Sequence, residues 1–342
     1  MESDNCPSPF PRRGKVAKGR MRVLSRTHSF NLKARASRRP SPAVRAPSPN
    51  GRGAIVAPTA IGFCAILTWA FLALLTTLAG NIPPFELAAI AFLIGGLTGA
   101  ATWPFRQSSI NNLKQSWQVW AMGAGGLCLY HCTYFFALQS APPVEASLIA
   151  YLWPLLIVVF AAFLPGEKIK AHHIVGIALG LVGAILIITK GGSVGFASGL
   201  KLGHFLSLAC AFTWAAYSVA SRRMGKVPTD VVAGFCLMTS AVTAVLHGIF
   251  EPTVIPQTAL QWFAILCLGL FPLGVGFYAW DFGMKRGNIM LLGTLSYAAP
   301  LLSTLILLAS GFTAWHWSIA AACFLITIGA LVSAKDLLLQ KN

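Results

Sequence analysis

Tyr130-His131-Cys-Thr-Tyr134 and Ser147-Leu-Ile-Ala-Tyr151-Leu-Trp153-Pro154 bring rings, hydroxyls and an imidazole to two short stretches of an otherwise apolar chain. On a helix, Tyr130 and Tyr134 share a face with His131 beside them, and Ser147 shares a face with Tyr151. Trp153 falls about 200° around from Tyr151 on a regular helix. Further along, Trp214, Tyr217 and Ser218 share a face, while Trp69 and Tyr297 stand in comparable surroundings. Such groups suit a small amphiphile such as an amino-acid zwitterion with an aromatic side chain. Edge-to-face stacking adds ~0.5–1.5 kcal/mol per ring pair. The same rings hold an ammonium by about 2 kcal/mol when desolvated, and tyrosine hydroxyls or His131 donate to a carboxylate. The bland reading stands beside this one, because rings in a chain that is 11% aromatic also pack cores and anchor interfaces. Trp103, Trp117, Trp120, Trp262, Trp315 and Trp317, near segment ends, read as such anchors.

The candidate moving parts are prolines. Pro154 clashes with the Ala150 carbonyl and removes a backbone N–H, so it kinks its helix and makes a hinge. Pro300 repeats that position, and Pro272, followed by Gly274 and Gly276, breaks another helix and exposes backbone. His131 is an ionisable group deep in an apolar segment, which leaves two roles open: proton coupling, or a neutral histidine hydrogen-bonded to a neighbouring helix. The acids Glu86, Glu145, Glu167, Asp230, Glu251, Asp281 and Asp336 all fall at segment ends. That weakens a carboxylate relay, and leaves Glu145 and Asp281 as candidate gates.

These residues are positioned by a membrane bundle. The chain has 342 residues, 56% of them hydrophobic and 10% charged, too few charges to cover a soluble globule. Residues 1–53 hold 13 of the 26 Lys and Arg with seven Pro and seven Ser, and read as a disordered basic tail that touches anionic lipid. Beyond it, ten apolar segments near 55–79, 85–103, 117–138, 143–163, 171–189, 199–221, 229–250, 258–283, 287–309 and 314–334 are long enough to cross a bilayer. With the N-terminus inside, eleven basic residues fall on that side and two, Lys190 and Lys201, on the other, which puts both termini in the cytoplasm.

The segments repeat. Thr68-Trp69-Ala70 matches Thr213-Trp214-Ala215, and Pro83 matches Pro228, both at an offset of 145. Tyr151-Leu-Trp-Pro154 matches Tyr297-Ala-Ala-Pro300 at 146, and Gly123 falls on Gly269 and Gly183 on Gly329 at the same offset. Five segments per copy is an odd number, so the copies enter the membrane from opposite sides. That is the inverted-repeat plan of secondary transporters, with a site near the midplane. The glycines of the second, fifth and eighth segments let helices approach closely. No GxxxxGK[ST] motif supplies ATP drive, no C-x-x-C occurs, and Cys128-x3-Cys132 has no second pair to complete a metal site.

Ten segments in two five-helix copies, a Thr-Trp pair opening each copy and a proline within the fourth segment of each resemble the drug/metabolite transporter superfamily. Within it, Tyr130-His131 to Leu138 and Ala146-Ser147 to Pro154 are most similar to the EamA-type group and its YddG-type exporters. The resemblance implies an all-α bundle divided into tail 1–53, first repeat 54–189, inverted second repeat 190–336 and a short cytoplasmic end 337–342. It implies a bacterial inner-membrane carrier, not an enzyme, that exports aromatic and other neutral amino acids by alternating access. No cofactor, metal, nucleic acid or ATPase subunit is expected; the partners are the substrate and lipid. The alternatives are efflux of other metabolites or lipophilic cations and, from other classes, a channel or an integral-membrane enzyme. The tail has no counterpart in the family pattern.

Overall fold

The computed structural model describes residues 52–105, 109–192 and 201–336. The expectations for most of the tail, for Arg106 and for 337–342 fall outside those residues. Among the described residues all regular structure is helical. Its ten rods are α1 (Ile55–Ala79), α2 (Pro84–Phe105), α3 (Trp117–Ser140), α4 (Glu145–Ala161), α5 (Ala171–Ile188), α6 (Leu202–Arg223), α7 (Val231–Phe250), α8 (Ala259–Arg286), α9 (Ile289–Ala309) and α10 (Trp317–Ser333). Each lies within a few residues of a segment read from the sequence. Eight are long and apolar enough to span a membrane, and α4 and α10 are shorter apolar helices. This is a multi-pass membrane protein.

Local chemistry sets the ends. Pro84 and Pro143 occupy first-turn positions of α2 and of the helix leading into α4, where a missing N–H breaks no bond. The Thr258 hydroxyl and Asn288 amide oxygen accept from the N–H groups of Gln261 and Leu291 and so cap α8 and α9. Gly80 closes α1 at φ 78°, where a side chain would be strained.

The breaks matter more than the rods. In α4 the helix is interrupted at Tyr151 and Leu152, just before Pro154, and in α9 at Ser296 and Tyr297, just before Pro300. Both breaks use the same tightened step: Leu152 N–H donates to Ile149 O at 3.1 Å and Tyr297 N–H to Thr294 O at 3.2 Å. Pro272 lies in a π-helical turn, Phe271–Val275, within α8. One interruption was not expected: α1 breaks at Ala70 and Phe71, with no proline nearby.

Packing follows the repeat. α1 lies along α8 and α3 along α6; α2 packs on α7, α4 on α9 and α5 on α10. Exchanging each helix with the one five places away maps this set onto itself, as two inverted copies require. The close approaches rest on absent side chains. A Cβ on Gly283 would sit 2.5 Å from the Gly62 Cα, and one on Gly176 would sit 2.6 Å from the Gly329 carbonyl. Gly176 and Gly180 therefore pack inside the chain, against α10 and against Tyr297 of α9. Among the end tryptophans, Trp117, Trp262, Trp315 and Trp317 are exposed, whereas Trp120 packs edge-on against Phe235.

Candidate functional site

Hydrogen bonds sort the connections between helices onto two faces. At one, Thr59 Oγ1 accepts the Asn288 N–H, Arg222 donates to the Gly287 carbonyl and to Glu167, and Lys170 pairs with Asp336. Both ends of the described chain meet there, so it is the terminal face. At the far face His204 meets Glu145 at 2.8 Å, and the Glu251 carboxylate accepts the N–H groups of Phe85 and Glu86. The two suggested gates thus lie on opposite faces, Glu145 on the far one and Asp281 towards the terminal one.

The terminal half is shut. Asp281 and Lys285, almost wholly buried, meet at 2.7 Å, and Thr229 donates to the same carboxylate oxygen at 2.7 Å. Arg222 bridges α6 to the carbonyls of Gly287 and Met284 at 2.8 and 3.3 Å. Here α6 packs on the last turns of α8, and the α4 stretch after Trp153 packs on the α9 stretch before Ser296. The repeat equivalents on the far side, α3 on α1 and the start of α4 on the end of α9, have no comparable packing. Burial agrees: Ile289, Met290, Leu291 and Leu292 are buried, whereas residues 302–308 of α9 are half-buried. The bundle is therefore looser towards the far face, and we read the half-buried rings there as the lining of a hollow that ends near mid-bundle.

Aromatic side chains wall and floor it. Trp214 is the hub, with Tyr130 at 4.9 Å between ring centroids, Tyr217 at 5.3 Å, Trp69 at 5.6 Å, Trp153 at 6.2 Å and Trp280 at 6.3 Å. Tyr134 stacks on Tyr130 at 6.2 Å, and Tyr151 faces Tyr134 from α4. Half-buried Trp69, Tyr130, His131, Tyr134 and Tyr151 form the walls; buried Trp153, Trp214, Tyr217 and Trp280 form the floor. Tyr151 and Trp153 flank the α4 break and touch different members of the cluster, Tyr151 meeting Tyr134 and Trp153 meeting Trp214 and Trp280.

Tyr297 is not brought to this cluster. It is fully buried against Gly180 of α5, although its repeat partner Tyr151 lines the hollow. Pro154 and Pro300 sit at the paired breaks, and the Pro272 carbonyl accepts the Trp69 indole N–H at 3.1 Å. The backbone exposed by the α8 break is thus spent on fixing a wall residue.

His131 places Nδ1 2.8 Å from the Leu127 carbonyl, which can only accept, so Nδ1 carries a proton and donates it. Its partner is its own helix, one turn back. The ring lies edge-on to Phe92 at 4.7 Å and near Phe277 at 6.0 Å. Phe92, Phe277 and Trp280 were not singled out from the sequence. The repeat offset of 146 carries His131 onto Phe277 and Tyr134 onto Trp280, so applying it to each candidate finds two of the three.

Among the described residues, His172, His173 and Asp336 group metal-type ligands at the terminal face. His173 Nδ1 accepts the Lys170 N–H, which puts its proton on Nε2, and the Lys170 ammonium holds the Asp336 carboxyl below the usual range. The His173 proton opposes ligation, and the Lys170 ammonium competes with a cation for the Asp336 carboxylate. Two apolar furrows lie on the outer surface, about 510 Å³ beside Leu305, Trp315 and Phe324 and about 400 Å³ beside Leu67, Phe71 and Phe271.

The EamA-like transporter family matches twice, over residues 58–189 and 201–335. The chain belongs to the EamA-like transporter family. Among EamA-like relatives, the aromatic amino acid exporter YddG of Ancylobacter novellus is 51% identical over 276 residues, 80% of this chain and 96% of that one. The exporter of the same name from Escherichia coli K12 is 26% identical over 262 residues, 72% of this chain and 86% of its own. A biotin transporter of Salmonella typhimurium is 24% identical over 70% of this chain and 80% of its own. A solved crystal structure, 49% identical, superposes with a TM-score of 0.77 over 84% of this chain and 99% of that one. The fold and the assignment as a membrane transporter rest on these matches.

Proposed function

We propose that the chain exports aromatic and other neutral amino acids across a bacterial inner membrane by alternating access, with the terminal face in the cytoplasm. The observation that carries this reading is the ring-lined hollow, open to one face and shut towards the other. Its walls and floor offer stacking surfaces, cation–π faces and neutral donors, and the nearest fixed charges, Asp281 and Lys285, are occupied with each other. A zwitterion of zero net charge suits such a lining. The names of two relatives support the same substrate class. Lipophilic cations would call for an unpaired carboxylate in the hollow, and the cluster contains none.

Residues 54–189 and 190–336 act as the two halves that exchange shapes. The chain works as a carrier without covalent chemistry, cofactor or ATPase subunit, embedded in lipid. Tyr130, His131, Tyr134, Tyr151, Trp69, Trp153, Trp214 and Tyr217 serve as substrate contacts, and Pro154, Pro300 and Pro272 mark the hinges. The test is resistance of expressing cells to toxic phenylalanine or tryptophan analogues, together with phenylalanine flux in proteoliposomes. Tyr134→Ala combined with Tyr151→Ala loses both at equal expression. Unchanged flux in that double variant overturns the site assignment, and no phenylalanine flux in the wild type overturns the function.

A further inference from the structure

Four tryptophans meet in the cluster, and their indole N–H groups divide into two kinds. Trp69 Nε1 donates to the Pro272 carbonyl at 3.1 Å, and Trp280 Nε1 donates to the Ser218 hydroxyl at 3.1 Å. Trp153 and Trp214, only 6% and 3% exposed, have no acceptor for Nε1 among the described residues. Neither nitrogen is sealed off, in contrast to Trp103, whose indole nitrogen is both enclosed and unpartnered. The rings of Trp153 and Trp214 meet Trp69, Tyr130, Tyr217, Phe277, Trp280 and each other, so both stand inside the aromatic cluster. Two donors without a protein acceptor, at the accessible edge of an otherwise buried cluster, are left for an acceptor that enters from outside.

We propose that the indole N–H groups of Trp153 and Trp214 hold the carboxylate of the transported substrate; this rests on the amino-acid reading above. A carboxylate needs donors, and the cations closest to the floor, Arg222 and Lys285, are committed to Glu167, to Asp281 and to backbone carbonyls. Two neutral donors grip an anion less firmly than a guanidinium does, which suits a carrier that must also let go. The donors come from opposite halves, Trp153 from α4 and Trp214 from α6. Trp153 also stands between the α4 break and Pro154, so a carboxylate bridging the two indoles couples occupancy to the hinge.

Binding of phenylalanine and of 2-phenylethylamine, which keeps ring and ammonium and lacks the carboxylate, tests this with purified full-length protein. The wild type prefers phenylalanine. Trp153→Phe and Trp214→Phe each weaken phenylalanine binding about tenfold more than they weaken 2-phenylethylamine binding, and the double variant loses the preference. Trp280→Phe, which gives up its bond to Ser218, weakens both ligands together. A double variant that keeps the wild-type preference overturns the proposal. Should the variants fail to fold, indole N–H resonances of ¹⁵N-labelled wild type decide. Phenylalanine shifts two of the ten downfield and 2-phenylethylamine does not, whereas equal shifts with both ligands overturn it. A wild type that binds 2-phenylethylamine as tightly as phenylalanine refutes the carboxylate role alone, whereas one that binds neither refutes the amino-acid reading itself.

Discussion

Removing the Arg222 guanidinium should let the terminal face open. In the repeat, Arg222 corresponds to Thr77, which lies on the open side of the bundle and bonds only to Ala73 of its own helix. When the halves exchange shapes, the contacts of Arg222 with Gly287, Met284 and Glu167 have no equivalent and must break. The side chain is 27% exposed, so solvent competes and each contact is discounted to about 1 kcal/mol. The total of ~3 kcal/mol shifts the ratio of far-open to terminal-open molecules by about a hundredfold, at ~1.4 kcal/mol per tenfold. Met290, 2% exposed on the shut side, is the reporter position. In a background lacking the native cysteines, Met290→Cys is labelled by a membrane-impermeant maleimide from the terminal face. Arg222→Ala should raise that rate by up to the same factor. An unchanged rate in a protein that still melts cooperatively would refute the reasoning.

Lys285→Met alone leaves Asp281 buried without its cation and costs about 3–5 kcal/mol, whereas pairing it with Asp281→Asn recovers most of the loss; denaturation in detergent measures both. Gly283→Val forces α1 and α8 apart and destabilises the fold by about 1–3 kcal/mol or more, while Gly125→Ala, with open space at its Cβ, leaves the melting temperature in place. Lys170 lowers the Asp336 carboxyl, so that pair stabilises at neutral pH and its contribution disappears as pH falls through the lowered value. The melting-temperature gap between wild type and Asp336→Asn should therefore close only as the pH falls below the ordinary carboxylate range.

Much of the architecture was legible because bilayer physics leaves a coarse trace. Apolar length marked the rods, and Pro154, Pro300 and Pro272 marked three of the four breaks. The α1 break escaped notice because Ala70 and Phe71 carry no helix-breaking chemistry; the indole bond from Trp69 to Pro272 and the meeting with α8 are tertiary. In the ring cluster proposed as the site, Tyr130, Tyr134, Tyr151, Trp153 and Trp214 were readable from ring clustering and repeat position. Tyr297 misled because the repeat preserves backbone position and not surroundings, and one half of this bundle is shut where the other is open. Trp280 and Phe277 were hidden by their nearness to Asp281 and Lys285, which read as a helix end and not as the underside of a floor.

The most direct test of the central claim is a structure determined with phenylalanine bound. The phenylalanine ring is expected between Tyr130, Tyr134 and Tyr151, with the carboxylate against Trp153 and Trp214. Density for phenylalanine only in the outer furrow beside Leu305, Trp315 and Phe324, with the hollow occupied by water, would contradict it.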